Sequence, residues 1–147
     1  MRFVLVDEIV EMVPGTLIRA SKVWSPDEEL FADHFPGFPT VPGVLLTEMM
    51  AQAAGACLEA ESEARGRAML AQIKNATFRE WVRPGQAATI VCSIRSSLAQ
   101  VATASCYVEV DGRQVCSAEL LFSFLPADRF AADVRGDLLA RYRASHP

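Results

Sequence analysis

Several things are scarce in this chain, and each scarcity excludes a class of protein. Aromatic residues make up only 8% of its 147 residues, and histidines number two. No apolar run reaches the ~18 uncharged residues that a membrane helix requires. The longest, Val41 to Met50, is broken by Pro42, Gly43 and Glu48. The start, Met1-Arg2-Phe3, runs straight into Val4-Leu5-Val6-Asp7 and reads as no secretory leader. A soluble, cytoplasmic protein without a membrane span is expected. The four cysteines, Cys57, Cys92, Cys106 and Cys116, form no C-x-x-C pair, and each lies in an apolar or strand-like stretch. They read as buried thiols rather than metal ligands or disulfides. Basic residues are scattered and aromatics do not interleave with them, so no nucleic-acid surface is expected.

What is present is a 51% apolar composition built from small pieces, chiefly Ala, Val, Leu and Met. That excludes disorder. The length suits one domain. Charge is uneven along it. Residues 1–63 hold 11 acidic and 3 basic side chains, a net of −8, and the remainder hold 7 and 11, a net of +4. Scattered positives such as Lys74, Arg79 and Arg83 serve solubility or meet an acidic partner.

Phe3 to Met12 reads as a strand, Pro14-Gly15 as a turn, and Thr16 to Val23 as the returning strand of a hairpin. Asp33 to Gly43 carries prolines at 36, 39 and 42. No helix interior or central strand tolerates that, so this is a stiff loop suited to positioning a reactive group. Val44 to Ala60 reads as a helix. Its polar positions, Glu48, Gln52, Gly55 and Glu59, share one narrow stripe, whereas a surface helix shows a wide polar face. Enclosure on most sides, in a core or a subunit interface, follows. After Gly66 the period becomes two. Ala68 to Phe78, Ala87 to Ser97, Val101 to Val110 and Gln114 to Leu125 read as strands, with Asp111-Gly112 a strong hairpin turn. The fold class is α+β, a long central helix wrapped by an antiparallel sheet. It spans residues 1–126. The extension 127–147, with Phe130, Val134, Leu138 and Tyr142 at helical spacing, reads as a short amphipathic helix.

Three features bear on chemistry. His34 heads the rigid loop. Glu48 stands on a mostly apolar helix, where burial in ionised form is costly and demands a partner or a proton. Gly43 and Val44 open that helix, and its unpaired N–H groups and dipole can polarise a carbonyl oxygen. Taken singly, each feature is as readily structural as functional.

Together they form H-F-P-G-x-P-x-x-P-G-x-x-x-x-E-x-x-A-Q, met by His34-Phe35-Pro36-Gly37, Pro39, Pro42-Gly43, Glu48 and Ala51-Gln52. This resembles the signature of the β-hydroxyacyl-[acyl-carrier-protein] dehydratases of the FabZ/FabA type. Weaker echoes extend the resemblance over roughly residues 3 to 125. It implies the hotdog fold and dehydration of a (3R)-hydroxyacyl thioester to the trans-2-enoyl thioester, in fatty-acid or related lipid or polyketide-like biosynthesis. By position it implies His34 as the base at C2 and Glu48 as the acid or water-orienting group. The Gly43 N–H would hold the thioester oxygen, with Phe35, Pro36, Gly37, Pro42 and Gln52 in support. It implies no metal or organic cofactor, a homodimer or trimer of dimers with sites shared between subunits, and an acyl carrier protein or acyl-thioester substrate. Met49, Met50 and Phe38 are candidates for an acyl tunnel. A glutamate at 48 points to the Z type, which usually lacks isomerase activity. A hotdog acyl thioesterase and a non-catalytic acyl-binding module are the alternatives. The chain departs from the pattern at Asp33, usually glycine, at Arg79-Glu80-Trp81, usually more basic with a proline, and in its tail. These departures suggest a specialised branch.

Overall fold

The computed structural model describes residues 2–130 and 137–147. Strands β1 (Glu8–Val13) and β2 (Leu17–Val23) form a hairpin, followed by the one-turn helix α1 (Leu30–Asp33) and the long helix α2 (Gly43–Glu61). Strands β3 (Arg67–Phe78), β4 (Ala87–Ser97), β5 (Val101–Val110) and β6 (Arg113–Leu125) come next, and helix α3 (Asp137–Ser145) ends the chain. The six strands make one sheet in the order β1-β2-β4-β5-β6-β3, with every neighbouring pair antiparallel. The sheet wraps α2, which is the hotdog arrangement.

The reason lies in small side chains. On β5, Ala102, Ala104, Cys106, Val108 and Val110 alternate inward and are buried. They meet a helix of which eleven of nineteen residues are buried, among them Ala53, Ala54 and Leu58 at 0% exposure. Alanine against alanine lets a helix lie close on a sheet, and dispersion contacts then accumulate over a wide area. The Asp111-Gly112 turn has positive φ at both residues, 52° and 77°, the geometry whose twist matches the flanking strands. All four cysteines are free and buried. Cys92 donates its S–H to the Met50 carbonyl, and burial pushes the Cys116 thiol up to about 11.

One reading needs correction. The first strand begins at Glu8 rather than Phe3. Leu5 and Val6 are both 1% exposed, so consecutive residues are buried with no strand alternation. The segment instead crosses α2, and the Leu5 N–H bonds to the Gln52 side chain at 2.8 Å. The tail carries the short helix expected of it. It opens with a single 3-10 turn at Ala127–Arg129 and an extended Phe130, and α3 spans Asp137–Ser145. Leu138 is buried and Tyr142 packs against the core, as the spacing requires, while Val134 lies outside the described residues. Among the described residues no helix is long and apolar enough to cross a membrane.

Candidate active site

His34 caps the end of α1, its N–H donating to the Leu30 carbonyl at 3.0 Å. The loop then curls back. The Thr40 N–H donates to the His34 carbonyl at 3.0 Å, and Phe35 and Phe38 exchange backbone hydrogen bonds of 2.9 and 3.1 Å around Pro36-Gly37. The His34–Phe35 peptide is cis. The Val41 N–H anchors the loop to the Val82 carbonyl at 2.7 Å. The imidazole is held by Thr40. Its Nδ1 lies 2.9 Å from the Thr40 carbonyl oxygen and 3.2 Å from Thr40 Oγ1. A carbonyl only accepts, so Nδ1 carries a proton, and in the neutral ring the lone pair lies on Nε2. The ring stacks on Phe35 at a centroid distance of 4.0 Å.

Gly43 opens α2 behind Pro42, whose ψ of 137° turns the chain into the helix. A Cβ at Gly43 would sit 3.1 Å from the Phe78 ring, tighter than ordinary contact. Glycine therefore lets the helix N-terminus and Phe78 close on one another. His34, Phe35, Phe38, Gly43, Phe78 and Trp81 line a cavity of about 420 Å³, and Trp81 is 70% exposed at it.

Glu48 is not in that cavity. It lines a second one, of about 340 Å³, with Gln52, Gly55 and Glu59 from the predicted stripe. Gln52 organises this side. Its Oε1 accepts from the Leu5 N–H at 2.8 Å, while its Nε2 donates to Glu48 Oε1 at 3.1 Å and to the Phe3 carbonyl at 3.2 Å. The Leu5 donor fixes which end of the amide is oxygen, and the other end must then face the carboxylate. Glu48 thus has the partner that its setting demanded. Further along, Glu59 pairs with Arg67, and burial pushes its carboxyl above the usual range against that pairing.

Within one chain, then, His34, Phe35 and Gly43 come together, Glu48 and Gln52 come together, and the two groups face different cavities. Pro36 and Gly37 are exposed and act only through the turn, and Pro42 acts as the helix cap. Met49 and Met50 line neither cavity. Both are 0% exposed and belong to the core, because their helix face points at the sheet. Phe38 does line the His34 cavity. Sequence reasoning gave Thr40 no role, although its place between two loop prolines was a signal. Trp81 was noted only as a departure, and the Glu59–Arg67 pair depends on a register that no local pattern displays.

An antiparallel sheet around one helix, with a histidine loop feeding that helix's N-terminus and a carboxylate further along it, defines a hotdog protein. The model of the FabA-like domain matches residues 1–119. The 3-hydroxyacyl-[acyl-carrier-protein] dehydratase FabZ of Ligilactobacillus salivarius is 37% identical over 119 residues, covering 80% of this chain and 85% of its own. That of Bacillus subtilis is 35% identical over 122 residues, covering 82% and 86%. The chain belongs to the FabA-like family of FabZ-type dehydratases. Among solved structures, the dehydratase heterocomplex ApeI:P of Xenorhabdus doucetiae superposes with a TM-score of 0.70 at 14% identity, covering 86% of both chains. A hypothetical thioesterase of Streptococcus pneumoniae, solved with coenzyme A, gives 0.65 at 12%, covering 81% and 85%. At such identities these two establish the fold alone.

Proposed function

We propose that this protein dehydrates a 3-hydroxyacyl thioester, carried on an acyl carrier protein, to the 2-enoyl thioester of fatty-acid or related lipid synthesis. The observation that carries the reading is the Thr40 clamp on His34, which occupies Nδ1 and leaves Nε2 of the neutral ring to act as the base, in the same cavity as the N-terminus of α2. In this reading the thioester oxygen accepts from the Gly43 N–H, and the dipole of the nineteen-residue helix stabilises charge developing there. Nε2 takes the C2 proton. The electron pair of that C–H bond becomes the C2–C3 double bond, and the C3–O bond breaks. The hydroxyl leaves as water, taking its proton from Glu48.

The two groups act in one site when Glu48 comes from a second copy. Support comes from β3, an edge strand twelve residues long in which no residue is buried. Met69, Leu70, Ile73 and Phe78 lie 38–47% exposed along it. A long, apolar, unpaired edge is a template for another strand. Pairing about a twofold axis forms two equivalent sites at once, each built from both chains.

The test is hydration of a trans-2-enoyl thioester, the reverse reaction, followed by loss of the conjugated absorbance. His34→Ala and Glu48→Gln should each lower kcat by roughly 10² to 10⁴-fold. Mixing the two variants should restore partial activity as subunits exchange. Undiminished turnover in both variants overturns the mechanism, and release of free thiol would mark thioester hydrolysis instead.

A further inference from the structure

The Glu48 cavity has a wall that the family resemblance does not reach. Its floor is the narrow stripe of α2, where Glu48, Ala51, Gln52, Gly55, Ala56 and Glu59 follow one another. Eleven residues separate its ends, roughly 16 Å of helix. Its other side includes Leu138 and Leu139 of α3. These lie past residue 119, where the family match ends, and are both buried, 8% and 7% exposed. Leu138 is anchored in the main hydrophobic core, which fixes α3 in place. Leu139 is buried beside it against the cavity. Small residues at Ala51, Gly55 and Ala56 leave room above the helix, and the leucines close part of it.

We propose that Leu139, held by its neighbour Leu138, sets the length of acyl chain that this enzyme accepts. The inference rests on the dehydratase reading. The occupant is the substrate's acyl tail, for two reasons. The cavity begins at the carboxylate assigned to the leaving hydroxyl. Away from it, much of the wall is aliphatic or aromatic, with Ala68, Leu70, Phe122 and the two leucines. Apolar surface of this kind discriminates by methylenes, each worth about tenfold or more in kcat/KM.

The test uses the full-length protein and a series of trans-2-enoyl thioesters of increasing chain length. Leu139→Ala should raise kcat/KM for longer chains relative to shorter ones by about tenfold, and Leu139→Trp should move the preference the other way by a similar factor. The tryptophan variant keeps the test decisive if the alanine variant loosens α3. A purely structural tail would lower activity equally at every length in both variants, and that parallel fall overturns the inference while leaving the dehydratase reading intact. A wild-type protein that hydrates no member of the series overturns the reading and the inference with it.

Discussion

Gly43 and Gln52, nine residues apart on α2, show how single residues shape this site. At Gly43 the constraint is contact. The Phe78 ring lies where a methyl group would go, so Gly43→Ala forces either the ring or the helix start to yield by a few tenths of an ångström. We expect kcat/KM to fall about tenfold with little change in melting temperature, since displacement of about 1 Å in a reacting geometry costs on the order of 10²-fold. Steady-state kinetics with a thermal melt checks this. At Gln52 the constraint is hydrogen-bond polarity. Gln52→Glu retains an acceptor for the Leu5 N–H but cannot donate to Glu48 while ionised. Its activity should fall by about 10- to 100-fold near pH 8 and recover relative to wild type as pH drops toward the carboxylate range. Gln52→Leu should show a deficit that does not narrow with pH. Parallel pH–rate profiles for the two variants would refute this account of Gln52.

Among the elements, β3 and α2 carry the most consequence. β3 has Met69, Leu70 and Ile73 in the open while it bonds to β6 on one side only. Ile73→Lys places a charge on that edge, a device by which proteins prevent strand pairing. Sedimentation should show a monomer, and hydration activity should drop by roughly 10² to 10⁴-fold because each site loses its second residue. A dimer that keeps its activity would refute the shared-site arrangement. The narrow polar stripe of α2 was legible in sequence, and so was its enclosure, because periodicity reports which face meets water. What encloses it was not legible. One side is the sheet, another the crossing segment at Phe3 to Leu5, another α3. The misplaced start of β1 has the same origin. Leu5 and Val6 read as strand formers, yet their burial comes from lying across α2, which local alternation does not encode.

For the whole molecule, pH acts on stability through Glu59. Burial outweighs the pull of Arg67 and raises its carboxyl above the ordinary value. The folded state therefore binds this proton more readily than the unfolded chain. The stability it contributes is complete below the unfolded carboxylate range and is lost as pH rises through the raised folded value. Glu59→Gln removes that loss. The variant's melting temperature should decline less than that of wild type from about pH 4 upward, measured by thermal denaturation across that range. A steeper decline in the variant would show that the Arg67 pairing dominates.

The sequence by itself determined the helix, the last four strands and the rigid loop, and it singled out His34 and Glu48 as the pair proposed to react. These depend on local spacing, which side-chain period and proline geometry dictate within a few residues. Thr40 as the imidazole clamp, the separation of His34 and Glu48 into two cavities, and the tail leucines beside Glu48 were decided only by the tertiary structure. Each joins residues through a loop return, a sheet register or the seating of a distant helix. Such contacts follow from packing the whole chain and leave no mark in any short stretch of it.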